Sequence, residues 1–234
     1  MDKIWEGLYQ AARLIFGFDP DLVEITLLSL QVTVTATLIA SAIGLPLGAW
    51  LVVNRFRYRR IVIAIINALM GLPPVVVGLF VYIMLSRSGP FGVLGLLFTP
   101  TAMIIAQVII ITPIIVSISH QAIRELWADY HDLLISLNAT RLQRVMTLIK
   151  DGRRALLTAA LAGFGRAIGE VGATMIVGGN IDHVTRVLTT AIALETGKGE
   201  FGLALALGFV LIGMAILVNL AVHGLSRTER GSRW

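Results

Sequence analysis

The stretch HQAIRELWADYHDLLISLNATRLQRVMTLIKDGRR, residues 120–154, is a charged block in an otherwise apolar sequence. Runs without Asp, Glu, Lys or Arg lie on both sides of it, at residues 25–54, 61–86, 88–123 and 201–226. A membrane-spanning helix needs about 20 apolar residues, so each run is long enough to cross a bilayer. We expect the charged block to lie at the membrane surface and to contact another molecule there.

The composition indicates an integral membrane protein. Hydrophobic residues make up 56% of the 234 residues and charged residues 14%, whereas a soluble domain is about one-quarter charged. The segment 155–178 is also apolar apart from Arg166 and Glu170. The sequence therefore predicts an all-α membrane protein with about five spans, at residues 25–53, 61–85, 101–119, 155–178 and 203–225.

The basic residues predict the topology. One set of connections and the C-terminal tail carry most of the Lys and Arg: four at 54–60, six at 120–154 and three at 224–234. The other set carries fewer: two at 1–24, one at 86–99 and two at 179–202. Because positive loops stay in the cytoplasm, the N-terminus is predicted outside and the C-terminus inside. The expected parts are an external amphipathic segment at 1–24, a membrane domain at 25–226, with its cytoplasmic coupling region at 120–154, and a cytoplasmic tail at 227–234.

The charged block is predicted to be two helices separated at Asn138-Ala139-Thr140. Asn tolerates the left-handed conformation that ends a helix, and Thr140 followed by Gln143 has the form of a capping box. The second helix would carry one apolar stripe of residues at helical spacing: Leu142, Val145, Met146 and Ile149. Two interpretations stay open, a helix resting on lipid headgroups and an element that docks into a partner.

Other features of the spans point to a path through the membrane. The sequence Gly71-Leu72-Pro73-Pro74 predicts a broken helix, since two prolines remove two backbone donors. Gly165 and Gly169 have the spacing of a close helix–helix contact. Arg166 and Glu170 are four residues apart and are expected on one helix face, either as a packing pair or as a pair lining a path or its gate. Three polar residues could line the same path or bond neighbouring helices: Asn67, Gln107 and Thr174.

Several functions are excluded or disfavoured by the residues. The chain has no Cys, so it has no thiolate metal site, and its four His are scattered, so no metal site is predicted. It has no GxxxxGK[ST] loop, so it does not hydrolyse nucleotide by that route, and no catalytic residue is assigned. The basic residues follow topology and form no single patch, which disfavours nucleic acid as a partner. No internal repeat supports a stand-alone ion-coupled transporter.

The chain resembles the permease subunits of binding-protein-dependent ABC importers of the type I fold. The segment GFGRAIGEVGATMIVGGNI, residues 163–181, is similar to the molybdate, sulfate and tungstate permeases. Three stretches are similar to the tungstate branch: MGLPPVVVGL at 70–79, RSGPFGVLGLLFTPTAMIIAQ at 87–107 and TRVLTTAIALETGKGEF at 185–201. This resemblance covers most of residues 22–225.

The resemblance implies that the charged block is the coupling element, in which the family has an EAA motif. Asp132-Leu133-Leu134 stands in place of Glu-Ala-Ala and Asn138 in place of the Gly. Leu148, Lys150 and Asp151 stand for the terminal Ile, Leu and Pro. The residues expected to contact an ATPase are Asp132, Asn138, Ala139, Thr140, Arg141, Leu142, Val145 and Met146.

The resemblance further implies a multi-pass permease of the cytoplasmic (inner) membrane that works as a homodimer surrounded by lipid. It would import an oxyanion, with tungstate as the leading candidate. Two separate ATPase subunits would bind ATP and Mg, an external binding protein would deliver the substrate, and this chain would be no enzyme and hold no cofactor. A molybdate or sulfate permease is the related alternative. An ion-coupled secondary transporter and a non-transport membrane scaffold are the alternatives from other classes.

Overall fold

A computed structural model describes residues 20–228, together with Trp5, Tyr9, Arg13 and Gly17, and side chains as far as Leu220. The surface segment predicted at 1–24 and the tail predicted at 227–234 lie mostly outside the described residues. Within residues 20–228 the chain forms helices and no strand, which confirms the all-α fold. The helices are α1 Pro20–Val53, α2 Arg59–Leu69, α3 Pro74–Leu85, α4 Pro100–Ser136, α5 Arg141–Asp151, α6 Arg153–Ile168, α7 Gly172–Gly178, α8 Leu188–Lys198 and α9 Phe201–Thr228.

Three of these helices are long and apolar enough to cross a membrane. They are α1, α4 and the part of α9 from Phe201 to Leu220. Two further candidates are broken pairs, α2 with α3 and α6 with α7, so that up to five spans result if each pair is one span. The break between α2 and α3 lies at the predicted Pro73-Pro74 site, since neither proline can donate to a continuous helical ladder.

The described chain divides into two compact units. Of the described residues, the first unit contains those within 1–33, 74–106 and 168–228, and the second contains 34–73 and 107–167. In the first unit, Leu22 of α1 packs with α8 and α9 through Leu188, Ala191 and Leu207. The chain thus passes from one unit to the other four times.

The core of the second unit joins the end of α1 to α4, α5 and α6. Its buried side chains are Ala49, Val52, Ile123, Val145, Leu148 and Leu156. Close approach of α1 and α4 depends on a small residue, because a Cβ at Gly44 would lie 2.9 Å from Ile115 Cγ2. The short surface helix α5 is therefore anchored on the ends of membrane-spanning helices.

Two connections differ in how well the sequence predicts them. Residues 86–99 form turns and a short 3-10 helix at Gly92–Leu94 before Pro100 opens α4, in agreement with the expected loop. Residues 179–202 contain α8, where only a loop was expected. Val187 N donates to Thr190 Oγ1 at 3.0 Å in its first turn, a start signal that the sequence analysis missed.

Candidate functional site

One half of each broken pair lies in the first unit, where α3 packs against α7. The contact is close enough to require small residues at the crossing. A Cβ at Gly78 would lie 2.7 Å from Ala173 Cα, and a Cβ at Gly172 would lie 2.8 Å from Val75 Cγ2. The first turns of both half-helices therefore touch directly after their breaks.

Glu170 lies in the break that precedes α7 and is only 4% exposed. Its Oε1 accepts a hydrogen bond from Ala173 N at 3.0 Å, so the carboxylate satisfies one of the free donors at the start of α7. Its backbone oxygen accepts from Thr174 Oγ1 at 3.0 Å and from Thr189 Oγ1 at 2.9 Å. Glu170 thereby connects α7 with α8.

The expectation that Arg166 and Glu170 lie on one helix face is wrong. Helix α6 ends at Ile168, so the two residues do not share the face of one helix. The physical reason is that the Glu170 carboxylate caps a new helix instead of continuing the old one. Arg166 lies in the last turn of α6, where a cation is favoured by the helix dipole.

The expected close contact at Gly165 and Gly169 is also absent from the described chain. A Cβ at either position would meet no atom within 4 Å. The tight position of α6 is Gly163, where a Cβ would lie 2.6 Å from Ile115 Cδ1. A spacing of four between glycines predicts a possible contact face, but only the packing of neighbouring helices selects which glycine uses it.

The other predicted path residues have different surroundings. Thr174 is fully buried and joins the Glu170 network. In the second unit, the buried Gln107 donates from Nε2 to Ala167 O at 3.3 Å, and its Oε1 has no hydrogen-bond partner among the described residues. The exposed Asn67 accepts from Ser117 Oγ at 2.8 Å.

The start of α5 confirms the predicted helix–turn–helix. Asn138 adopts a left-handed conformation, with φ of 50°, directly after α4 ends. Gln143 N donates to Thr140 Oγ1 at 3.3 Å, and Thr140 N donates to Gln143 Oε1 at 2.8 Å. This reciprocal capping box supplies partners for two backbone donors, so α5 begins without help from another molecule. Asp132, near the end of α4, is exposed, and its Oδ1 lies 2.8 Å from Nδ1 of its neighbour His131.

The predicted apolar stripe of α5 divides into two edges. Val145 is buried together with Leu148, and Ile149 is partly buried against the same core. Leu142 and Met146, four residues apart, remain 71% and 60% exposed. The division follows from the helical period, because one edge rests on α1 and α4 while the other turns away from them. Helix α5 therefore presents two large apolar side chains that its own fold does not bury.

The segment 179–187 contacts the start of α1 and has charged contacts that the sequence analysis did not single out. His183 Nδ1 lies 2.9 Å from Glu24 Oε2, and Arg186 Nη1 donates to Asp182 Oδ1 at 2.6 Å. The hydrogen bond to Glu24, its charge and that of Asp182 raise the pKa of His183. His183 has a left-handed backbone conformation, with φ of 56°. The surrounding loop must hold this conformation to keep the side chain beside Glu24. Among the described residues no cluster of His, Asp and Glu could hold a metal ion.

Comparison with known proteins places these features in a family. Residues 40–231 match the model of the binding-protein-dependent transport system inner membrane component. The tungstate uptake system permease protein TupB of Peptoclostridium acidaminophilum is 40% identical, with 96% of this chain and 99% of that protein covered. The TupB of Campylobacter jejuni is 38% identical, with 97% and 95% covered. The molybdenum transport system permease protein ModB of Azotobacter vinelandii is 28% identical, with 87% and 94% covered.

The fold also matches a solved transporter. A chain of the MetNI methionine ABC transporter in an inward-facing conformation superposes with a TM-score of 0.73 at 21% sequence identity, covering 91% of this chain and 97% of that chain. This match shows the type I ABC importer fold. The chain belongs to the family of binding-protein-dependent transport system inner membrane components.

Proposed function

We propose that this chain is the permease subunit of an ATP-driven importer that carries tungstate across the cytoplasmic membrane. The observation that carries the proposal is the near full-length identity of 40% and 38% to two permeases named for tungstate uptake. The permease named for molybdenum transport is 28% identical, which supports tungstate over the molybdate alternative. ATP and Mg would bind to a separate ATPase.

The crossing of α3 and α7 is the part of the chain best suited to line the path. Backbone groups freed by a helix break inside a membrane need protein or a water-filled cavity around them. Transporters often form such paths from discontinuous helices. A bare carboxylate would repel an oxyanion, but the buried Glu170 is hydrogen-bonded to α7. We therefore assign Glu170 and Thr174 to positioning α7, with Arg166, Gln107 and Asn67 as further candidates for the path or its gate.

Helix α5 is the element through which an ATPase would act. Its fold is complete without Leu142 and Met146, which leaves both side chains free to enter an apolar cleft of a soluble partner. The turn before α5, from Asn138 to Thr140, and Asp132 would border the same contact. The proposed assembly is a homodimer of this chain with two ATPase subunits on the cytoplasmic side and a substrate-binding protein outside.

Transport of isotopically enriched tungstate tests the substrate. A strain lacking the chain should lose high-affinity uptake, and expression of the chain should restore it, as measured by mass spectrometry of washed cells. A tenfold excess of unlabelled tungstate should abolish the signal, while an equal excess of molybdate or sulfate should leave most of it. Stronger competition by molybdate or sulfate would reassign the substrate.

The energy source is tested in the same strain background. Uptake should stop when the Walker A lysine of the ATPase that co-purifies with the chain is substituted. Uptake should continue in the presence of an ionophore while cellular ATP is maintained. Uptake that persists without the ATPase but stops with the ionophore would indicate an ion-coupled transporter. Binding through α5 without any uptake would indicate a scaffold.

A further inference from the structure

A groove in the second unit lies between the end of α1 and the start of α5. It encloses about 710 Å³. Ile43, Leu47 and Trp50 line one wall, and Arg141 and Leu142 line the other. Trp50 is 45% exposed, and the remaining side chains of the α1 wall are exposed as well. The groove is thus an open apolar surface with one cation at its rim.

The α1 wall reaches back along its helix from the end of α1. Helix α1 is a candidate span, and ten residues separate Ile43 from its end at Val53, which is about 15 Å at 1.5 Å per residue. This distance is about half of the roughly 30 Å hydrocarbon core. A lipid acyl chain matches an apolar wall of this length on a candidate span.

The polar end of the groove is basic and aromatic. Arg141 is exposed and forms no ion pair within the part of the chain that the structure describes. The tract at residues 54–60, with four Arg, follows α1 directly, and the rings of Trp50 and Phe56 lie 5.6 Å apart at this end. Aromatic rings of this kind favour the headgroup level, and cationic pockets between spans bind anionic headgroups.

We propose that this groove binds one anionic phospholipid from the leaflet that faces the basic tract. An acyl chain lies along Ile43, Leu47 and Trp50, and the phosphate lies at Arg141. A second copy of the chain or a zwitterionic lipid would cover the apolar wall but would not complement the cation. The bound lipid would extend the contact between α1 and α5, on which the position of α5 depends.

Trp50 is a built-in reporter for this site. The full-length chain, in the assembly in which it is purified, is placed in nanodiscs of phosphatidylcholine. The nanodiscs contain a fixed fraction of either phosphatidylglycerol or phosphatidylcholine with brominated acyl chains, which quench tryptophan on contact. The difference between the wild type and Trp50→Phe isolates the Trp50 signal. We expect the brominated phosphatidylglycerol to bind about fivefold more tightly than the brominated phosphatidylcholine, as one arginine at an anionic lipid surface predicts.

Two variants test whether Arg141 causes the preference for the anionic lipid. Arg141→Gln should remove most of the preference for the anionic lipid, whereas Lys150→Gln, which removes one exposed charge from the same helix, should keep it. Circular dichroism should show the same helix content in both. Equal quenching in the wild type, or a preference that Arg141→Gln leaves unchanged, would overturn the proposal. Weak quenching by both lipids would also overturn it, because it would show that protein covers the groove.

Discussion

At the residue scale, the carboxylate of Glu170 acts as a local support for the membrane helices around it. It is buried, it accepts from Ala173 N, and its backbone oxygen holds Thr174 and Thr189. A charged group at a helix N-terminus forms a charge-assisted hydrogen bond and complements the helix dipole. Both interactions favour the break over a continuous helix.

Replacement of Glu170 should destabilise the fold in a graded way. Glu170→Ala removes the acceptor and should cost about 1.5–3 kcal/mol, the usual loss for a buried hydrogen bond to a charged group. Glu170→Gln keeps an acceptor oxygen and should lose less. Thermal unfolding of the purified chain in nanodiscs measures the order. Equal stability of the wild type and Glu170→Ala would refute the capping role.

The contact of His183 with Glu24 should depend on pH. Its neighbours raise the pKa of His183 above the ordinary value of 6.5, so protonated His183 is favoured in the folded state. The stabilisation is fully present below about pH 6.5 and is lost as the pH rises through the raised pKa. The melting temperature of the wild type should therefore exceed that of Glu24→Gln at pH 6, and the difference should shrink toward pH 8.5. A difference that grows with pH would contradict the assignment.

At the element scale, the crossing of α3 and α7 depends on backbone proximity. The atom that an added methyl at Gly78 would meet is Ala173 Cα, which belongs to the backbone and cannot rotate away. The two half-helices can therefore keep their contact only with a glycine at this position.

Gly78→Ala should separate α3 from α7. Overpacking of this kind costs about 1–3 kcal/mol, and the measurement is thermal unfolding together with tungstate uptake. The matched control is Gly165→Ala, another helical glycine, where an added Cβ meets no atom of the described chain within 4 Å. The control should be at least as stable as the wild type because alanine favours helix. Similar losses in both variants would contradict a specific crossing.

Substitutions in α5 should distinguish the side chains needed for partner binding from those needed for folding. The double variant Leu142→Asp with Met146→Asp changes only exposed side chains and should reduce the ATPase recovered with the tagged chain at least tenfold, while the chain still inserts and melts normally. Val145→Asp places a charge in the core of the second unit and should lower stability itself. Val93→Asp, at a fully exposed residue of the short 3-10 helix, is the control and should retain the ATPase. Normal ATPase recovery with the double variant would refute the coupling role of α5.

At the scale of the whole molecule, the two units are interleaved along the chain. One of the four passages between units, after Pro73, lies at a helix break, and a second, after Ala167, lies one residue before the end of α6. The other two lie within the continuous helices α1 and α4. The chain therefore carries both kinds of connection, a continuous helix and a broken one, between the same two units.

The sequence predicted those features that depend on local chemistry. The prolines at 73–74, the capping box at Thr140 and the left-handed Asn138 are each determined by neighbouring residues. The end of α6 could not be predicted in the same way, because the spacing of Arg166 and Glu170 also fits a helix. Only the tertiary position of Glu170 at α7 decides against it. The division of the α5 stripe similarly depends on which edge rests on the second unit.

The broken pairs also affect how the chain enters the membrane during synthesis. Helix α2 has 11 residues and α3 has 12, so each reaches about 17–18 Å at 1.5 Å per residue, well short of a bilayer core of about 30 Å. Neither half can be recognised by the insertion machinery as a complete segment. As one span, the pair would have to emerge from the ribosome as a whole before it crosses, so a nascent chain that stops at Pro73 should leave α2 at the surface.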